Sequence, residues 1–296
     1  MKNTIFTGMA TALVTPMTAE GSIDYEAFSR FIEFQIEKGI NALVVMGTTG
    51  ENATIEYEEQ HKIVRFVVEK VAGRVPVIAG TGTNNTEHVI HNTKAACEAG
   101  ADAVLVVTPY YNKATQNGLI AHFTAVADVS TLPVILYNVP GRTGCNLQPK
   151  TVAILAEHPN IVGLKEASGN MSQFMEIMQL CGDKLAIYSG EDALTVPMMS
   201  IGCKGAISVL SNVVPAKAVA MTNAALAGNY EEAARLQLEM LPLINALFSQ
   251  VNPIPAKAAV SAMGYGADIL RMPLTPMEEP FRSNLFAEMK KLGVSL

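Results

Sequence analysis

The sequence predicts an α/β protein that folds as a (β/α)₈ barrel with a helical C-terminal extension, and three observations support this prediction. Eight short runs rich in Val, Ile and Leu recur over about the first 212 residues. A longer segment with apolar residues at helical spacing follows each run. After Asn212 the strand-like runs stop and only helical segments continue. Alternating βα units predict a parallel sheet, and eight of them predict a sheet that closes into a TIM barrel.

The eight strand-like runs contain almost no charged residues, which is typical of parallel strands buried on both faces. The motif Gly-x-Gly-x-x-Gly does not follow the first run, which argues against a dinucleotide-binding fold. The runs are Met9–Pro16, Ala42–Met46, Val75–Gly80, Ala103–Pro109, Pro133–Val139, Ile161–Ala167, Leu185–Ser189 and Gly205–Leu210.

The segments between the runs predict helices. Tyr25–Lys38 places Phe28, Phe31 and Ile32 on one side, and Glu58–Val71 repeats this spacing. We expect a barrel over residues 1–212 that carries the active site, and an extension over residues 213–296 that packs on it. The predicted helices of the extension are Pro215–Ala227, Tyr230–Gln250, Ala256–Met263 and Met277–Leu292.

Composition excludes several classes of protein. The 296 residues are 49% hydrophobic and 16% charged, which predicts a folded chain with a substantial core. Lys and Arg number 21 against 27 Asp and Glu, so the formal net charge is −6. Because nucleic acids and anionic membranes attract basic surfaces, we expect neither as a partner. The low charged fraction suggests instead that part of the surface is buried between subunits.

Cysteine and histidine spacing predicts no metal site. Cys97, Cys145, Cys181 and Cys203 show no close pairing and are interpreted as thiols in a reducing compartment. No His-Glu-x-x-His motif occurs among the five histidines.

No targeting or membrane-spanning segment is expected. The first residues lead into a strand-like stretch without a signal-peptide pattern. The charge-free run Met240–Ala256 contains three prolines and several amides, which suit a membrane helix poorly. We therefore expect the protein in the cytoplasm.

Lys165 is the most informative single residue of the sequence. It lies inside an apolar strand-like run, where alternation puts it on the same face as Gly163 and Ala167. If that face lines the barrel interior, burial disfavours the ammonium form, and a neutral amine can form a Schiff base with a carbonyl. A lysine that reaches solvent or pairs with an adjacent carboxylate is the alternative, and this run alone does not decide between them.

Hydroxyl groups follow other runs, at the strand ends where barrel enzymes place their active sites. Tyr137 could exchange protons with a bound substrate, with Thr48 and Tyr111 as relays. A core aromatic with a satisfied hydroxyl is the alternative for Tyr137.

Groups that bind carboxylates are found in two of these loops. The Gly47–Gly50 loop could bring backbone N–H groups and the Thr49 side chain close to a carboxylate, or could be an ordinary turn. Arg142 could hold a second carboxylate through two hydrogen bonds, or could be a surface arginine after a Pro-Gly turn.

Three motifs in this order resemble the dihydrodipicolinate synthase (4-hydroxy-tetrahydrodipicolinate synthase) family, within the class I pyruvate-dependent aldolases. Each is weak alone, but their combination is specific, and the resemblance extends over essentially the whole chain. The motifs are Gly47-Thr48-Thr49-Gly50-Glu51, Tyr137-Asn138-Val139-Pro140-Gly141-Arg142-Thr143 and Gly163-Leu164-Lys165-Glu166-Ala167, supported by Tyr188-Ser189-Gly190 and Asn252-Pro253-Ile254-Pro255-Ala256-Lys257.

The resemblance implies a metal-free aldol condensation of pyruvate with L-aspartate 4-semialdehyde, on the route to diaminopimelate and lysine, with no cofactor. It implies a lyase that assembles as a homotetramer, a dimer of dimers. By resemblance the catalytic residues are Lys165, which forms the imine, and Tyr137, Thr48 and Tyr111, with Tyr111 entering from the adjacent subunit. By resemblance Thr48 and Thr49 hold the pyruvate carboxylate, Arg142 holds that of the semialdehyde, and the backbone of Gly190 and Ile207 lines the pocket.

Two alternatives remain beside this function. N-acetylneuraminate lyase and keto-deoxy sugar acid aldolases share the barrel, the lysine and the tyrosine, but Arg142 suits a short dicarboxylate-like product better than a sugar. A keto-acid-binding sensor barrel would have no need of the amine of Lys165.

Many members of the family are inhibited by lysine at a dimer interface, where two histidines and a glutamate commonly hold the effector. The matching residues here are Tyr57, Gln60 and His88. Because His88 replaces the acidic residue that would bind an ammonium group, we expect weak or absent feedback inhibition by lysine. Glu56 or Glu87 could substitute for it. The other compatible residues of this possible allosteric site are Asn52, Ala53, Asn84 and Tyr110.

Overall fold

Eight parallel strands close into a barrel in the order in which they occur along the chain. The computed structural model describes Lys2 and residues 4–296, and Met1 and Asn3, which belong to the segment examined for a targeting signal, lie outside it. The strands are β1 Gly8–Ala12, β2 Ala42–Val45, β3 Val77–Gly80, β4 Ala103–Val107, β5 Val134–Asn138, β6 Ile161–Glu166, β7 Ala186–Ser189 and β8 Gly205–Ser208.

The first strand closes the barrel because β1 pairs with β2 on one side and with β8 on the other. The prediction of a (β/α)₈ barrel is confirmed. Several strands are shorter than their apolar runs. The first and fourth runs extend to Pro16 and Pro109, which lack the N–H group that a sheet ladder needs, and β1 and β4 end before them.

Helices follow the strands and continue after β8. They are α1 Tyr25–Glu37, α2 Tyr57–Val71, α3 Thr86–Glu98, α4 Gln116–Val129, α5 Pro140–Thr143, α6 Pro149–Leu155, α7 Met171–Cys181, α8 Thr195–Met199, α9 Pro215–Leu226, α10 Tyr230–Leu247, α11 Ile254–Ala262 and α12 Phe281–Lys291. Short 3₁₀ turns lie at Thr48–Gly50, Asp192–Leu194 and Leu210–Asn212.

The last helix begins later than its apolar spacing predicts. Met277 was expected as its first residue, whereas α12 starts at Phe281. Pro280 disfavours helical backbone at the preceding residue, so the helix begins only after the proline.

Two apolar clusters build the core. The larger one lies between the strands and the helices around them. The smaller one fills the barrel interior and includes Tyr137, Tyr188 and Ile207. Phe6 stacks on Tyr188 with ring centroids 4.3 Å apart, and its carbonyl accepts a 2.9 Å hydrogen bond from the Tyr188 hydroxyl. The interior is therefore a packed core, and a cavity can open only where the strands end.

The C-terminal helices pack on the barrel and on one another. Helix α9 lies against β1 and α10, while α12 packs against α10 and α11. Because α9 follows β8 and covers β1, it occupies the place of the eighth helix of the ring. The division of the chain at residue 212 stays a prediction. No helix in the described part of the chain has both the length and the apolar character required to cross a bilayer.

Candidate active site

A cavity of about 310 Å³ opens at the carboxyl ends of the strands. Its walls come from loops that are far apart in sequence, and Phe248 after α10 also lines it. Six of the eight predicted catalytic and substrate-binding residues line it: Thr48, Thr49, Tyr137, Arg142, Lys165 and Gly190.

Lys165 lies near the end of β6, with Tyr137 of β5 and Tyr188 of β7 beside it in register. Its side chain is 6% exposed, and Nζ lies 4.4 Å from the centroid of the Tyr137 ring. Within the described residues, no carboxylate oxygen lies within 4.0 Å of this Nζ. The amine faces an aromatic ring and a cavity without a direct ion pair, and its charge acts only through space on the carboxyls of Glu191 and Asp192.

The adjacent carboxylate, Glu166, does not pair with Lys165. Its oxygens accept hydrogen bonds from Ser168 N at 2.7 Å and from Asn138 Nδ2 at 3.0 Å. Burial raises the pKa of the Glu166 carboxyl, while these donors counteract the rise. Because successive side chains of a strand point to opposite faces, Glu166 lies outside the barrel interior that Lys165 enters.

Gly190, after β7, makes room for the lysine. A Cβ atom at this position would lie 2.8 Å from Lys165 Cε and 2.7 Å from Ala167 Cβ. Either contact is closer than carbon atoms tolerate without a shift. The absence of a side chain at Gly190 thus allows the Lys165 chain to extend along the cavity wall.

The loop after β2 forms the 3₁₀ turn Thr48–Gly50. The Thr15 hydroxyl donates to the Gly50 carbonyl at 2.8 Å, and Glu51 ends the turn in the left-handed region with φ of 63°. Thr49 is almost completely buried, and its Oγ1 accepts a 3.0 Å hydrogen bond from Asn252 Nδ2. These contacts hold both threonines at the cavity wall.

Arg142 lies in the short helix α5, directly after β5, and is exposed. Its Nη2 donates to the main-chain carbonyl of Asn252 at 2.5 Å. Arg142 is therefore both a surface arginine and a cavity residue, because its guanidinium group reaches solvent and also lines the cavity.

Asn252 is a residue of this site that reasoning from the sequence missed, and it joins two predicted groups. Its amide and its carbonyl contact Thr49 and Arg142, the two predicted carboxylate-binding groups. Its Oδ1 is buried and has no hydrogen-bond partner in the described chain. The segment Asn252–Lys257 supported the family resemblance, but nothing in its spacing indicated a contact with a loop 200 residues earlier.

Glu191 supplies the one carboxylate among the described residues that line the cavity. Burial and the adjacent Asp192 raise the pKa of its carboxyl. Asp192 is itself buried and accepts hydrogen bonds from Val209 N at 3.0 Å and Leu210 N at 2.9 Å. These bonds join the loops after β7 and β8.

Tyr111 lies outside the cavity and is 89% exposed. Its φ is 72°, and Asn112 N donates to Tyr110 O at 2.9 Å, so the backbone makes a tight γ-turn around it. Such turns are rare and strained. Within the residues that the structure describes, no hydrogen bond joins Tyr111, Thr48 and Tyr137.

Ile207, also predicted to line the pocket, is 1% exposed in the packed barrel interior. Val209, just after the end of β8, lines the cavity instead.

A second cavity of about 260 Å³ gathers the predicted allosteric residues. His88 does not line it, but His88 Nδ1 lies 2.8 Å from the Tyr57 hydroxyl. Gln60 Nε2 donates to the carbonyls of Asn52 at 2.8 Å and Ile55 at 2.6 Å. The lining residues that were predicted are Asn52, Ala53, Tyr57, Gln60, Asn84 and Tyr110, and Glu56 joins them.

Residues 4–296 and Lys2 contain no group of three or more His, Cys, Asp or Glu side chains arranged to hold a metal ion. Metal independence stays a prediction.

The chain is similar to proteins of one family over almost its whole length. Residues 5–292 match the model of the dihydrodipicolinate synthetase family. The 4-hydroxy-tetrahydrodipicolinate synthase of Geobacter sulfurreducens is 51% identical over 287 residues, which are 97% of this chain and 99% of that protein.

Solved structures agree in fold. The chloride-inhibited dihydrodipicolinate synthase of Acinetobacter baumannii, complexed with pyruvate, is 42% identical with a TM-score of 0.96, over 98% of this chain and 100% of that one. The enzyme of Cyanidioschyzon merolae with lysine bound is 42% identical with a TM-score of 0.95, over 99% and 100% of the two chains. Because the family model matches residues 5–292 and a relative 51% identical matches nearly the whole chain, the chain belongs to the dihydrodipicolinate synthetase family.

Proposed function

We propose that this chain catalyses the condensation of pyruvate with L-aspartate 4-semialdehyde to 4-hydroxy-tetrahydrodipicolinate, through a Schiff base on Lys165. The observation that carries the proposal is the buried Lys165 amine, which faces the cavity without a carboxylate partner. The names of relatives about half identical in sequence, such as that of Geobacter sulfurreducens, supply the substrate pair. The pyruvate complex of the Acinetobacter baumannii neighbour supports the first substrate.

The reaction follows from the chemistry of the imine. Lys165 Nζ adds to the C2 carbonyl of pyruvate, and loss of one water from the carbinolamine leaves an imine. The imine withdraws electrons, so the methyl carbon loses a proton, and the resulting enamine carbon attacks the aldehyde carbon of the semialdehyde. The amino group of the semialdehyde then displaces Lys165 from the imine carbon, which closes the ring and releases the lysine amine. Tyr137 lies against Lys165 and exchanges these protons, with Thr48 as its relay.

The two carboxylates have separate binding groups. Thr48 and Thr49 with the backbone of their loop hold the carboxylate of pyruvate, and Arg142 holds that of the semialdehyde. Gly190 supplies space beside Lys165, and Val209 completes the wall. The local cationic group of Arg142 attracts the carboxylate groups of both substrates to a chain that is acidic overall.

Tyr111 completes the relay in the cavity of a neighbouring subunit. Its exposed ring and strained turn support a role outside its own chain, since such strain persists where function requires it. We propose a homotetramer made of two such dimers. A Tyr111→Phe protein with full turnover, or a fully active dilute monomer, would contradict this assignment.

The reaction needs no metal or cofactor, because the covalent imine supplies the electron sink. The expected cytoplasmic location belongs to the same proposal. Turnover that disappears with a chelator and returns with a divalent ion would contradict the metal-free mechanism.

Borohydride trapping tests the central step. The protein is incubated with pyruvate, reduced, digested and mapped by mass spectrometry, with unreduced protein and a Lys165→Ala protein as controls. We expect one stable adduct on the peptide that contains Lys165. A stable adduct on a different lysine, or none, would refute the mechanism.

Substrate comparison separates this function from its alternatives. We expect turnover with pyruvate plus aspartate 4-semialdehyde and none with N-acetylneuraminate. The reverse result would indicate a sugar acid lyase, and binding of keto acids without adduct or turnover would indicate a sensor barrel.

We propose weak or absent inhibition by lysine. Lysine is bound in the Cyanidioschyzon merolae neighbour, but here Tyr57, Gln60 and His88 stand at positions where family members commonly carry two histidines and a glutamate. Glu56 lines the second cavity and is the residue that could still accept an ammonium group. Half-inhibition below about 1 mM lysine would contradict the proposal, and a Glu56→Gln protein shows whether Glu56 is responsible.

A further inference from the structure

Glu51 and Lys257 form a buried ion pair behind the carboxylate-binding loop. Lys257 Nζ lies 2.8 Å from Glu51 Oε1, and the two side chains are 1% and 0% exposed. The same Nζ donates to the Thr15 carbonyl at 2.7 Å. Glu51 Oε2 accepts a hydrogen bond from Arg271 N at 3.0 Å. Both charges are thus held by specific partners from two distant parts of the chain.

The pair acts on the backbone of the loop. Glu51 follows the Thr48–Gly50 turn directly and has a left-handed φ of 63°, a conformation that costs energy for a residue with a side chain. Thr15, the other partner of Lys257, donates through its hydroxyl to the Gly50 carbonyl at 2.8 Å. Lys257 therefore contacts the loop by two routes, through the Glu51 carboxylate and through Thr15.

We propose that Lys257 is a positioning residue for substrate binding: it holds Glu51 and Thr15 so that the Thr48–Thr49 loop keeps the shape that binds the carboxylate of the keto acid. The inference rests on the proposed function, because it concerns the same site. It adds that a helix of the C-terminal region determines the affinity for the first substrate, although Lys257 does not line the cavity.

A double variant separates positioning from stability. In Lys257→Met or Glu51→Gln alone, one buried group loses its partner, so both the stability of the fold and the affinity for pyruvate fall. In Glu51→Gln/Lys257→Met no charge remains, and the fold is expected to recover most of its stability. The loop still lacks its two anchors, so its affinity for pyruvate does not recover.

The measurement is the pyruvate concentration for half-maximal borohydride trapping at Lys165, together with the unfolding midpoint of each protein. We expect the double variant to need about tenfold more pyruvate or more, while its trapping rate at saturation stays near that of the wild type. Lys217→Met, which breaks the surface pair with Glu239, is the matched control and should change neither value.

Each outcome decides the proposal. A double variant with wild-type half-saturation would overturn the positioning role and leave the proposed function standing. Absence of any adduct in the wild type would overturn both. If the double variant does not fold, Lys257→Arg takes its place, because a planar guanidinium cannot occupy the point between Glu51 and Thr15. A raised half-saturation in that protein would support the role, and an unchanged one would overturn it.

Discussion

Two lysines of this chain are buried to a similar degree and are chemically opposite. Lys165, near the end of β6, is 6% exposed and has no carboxylate partner in the described chain. Lys257, in α11, is 1% exposed and has both the Glu51 carboxylate and the Thr15 carbonyl. Burial lowers the pKa of Lys257, and the carboxylate of Glu51 opposes that change.

The difference teaches that burial alone does not make a nucleophile. A buried lysine with a carboxylate oxygen at 2.8 Å is held in an ion pair and serves the fold. A buried amine beside an aromatic ring and a cavity is available to a carbonyl compound. We therefore expect removal of Lys165 to lower activity more than stability, and removal of Lys257 to lower stability more than activity.

The largest effect is expected for Lys165→Met. Turnover should fall by at least about 10³-fold, since the covalent step has no other amine. The free energy of unfolding should change little, because Lys165, unlike Lys257, has no direct ion pair to lose. Steady-state kinetics and urea unfolding measure the two, with Lys204→Met as control. A strong loss of stability would show that Lys165 serves the fold after all.

Lys257→Met should show the reverse pattern in stability. Removal of one partner leaves the Glu51 charge buried, and we expect the free energy of unfolding to fall by about 3–5 kcal/mol. Glu26→Gln, in the exposed pair with Arg30, should cost less than about 1 kcal/mol. Equal losses in the two proteins would mean that the buried pair contributes no more than a surface pair.

His122 extends the comparison to a third buried base. Burial lowers its pKa to about 4, Thr86 Oγ1 lies 2.9 Å from its Nδ1, and its Nε2 has no partner in the described chain. The unfolded chain protonates this histidine near pH 6.5, whereas the folded chain does so only near pH 4. Stability should fall as the pH drops through this window, by up to about 3 kcal/mol.

Urea unfolding at pH 7, 6 and 5 tests this pH dependence against a His122→Gln protein. The difference between the two proteins isolates the histidine from the carboxyl groups that titrate in the same range. If the stabilities of the two proteins fell in parallel with pH, His122 would not be the cause of the pH dependence.

The smallest effect is expected for Asn252→Ala. This change tests the contact between the segment that contains Lys257 and the cavity that contains Lys165. The change removes the hydrogen bond to Thr49 Oγ1 but keeps the carbonyl that accepts from Arg142. If the binding free energy of pyruvate falls by about 1 kcal/mol, the pyruvate concentration for half-saturation should rise about fivefold, with kcat nearly unchanged. A fall in kcat alone would place Asn252 in the chemistry instead.

The fold was predictable because its signals are local. Eight apolar runs with helical segments between them require a closed parallel sheet, and they became β1–β8. Alternation along the sixth run put Lys165 and Ala167 on one face, and the structure shows both residues lining the cavity. Ends of elements were less predictable, as at Pro280, because they depend on single residues.

The sequence by itself determined the barrel, the face of β6 that carries Lys165 and the loops at the strand ends, since periodicity and strand order act over short distances. Only the tertiary structure decided that Asn252 contacts Thr49 and Arg142, that Lys257 pairs with Glu51, and that Tyr111 lies outside its own cavity. The physical reason is that these contacts join parts of the chain up to about 200 residues apart, and no local pattern records which polar groups packing brings together.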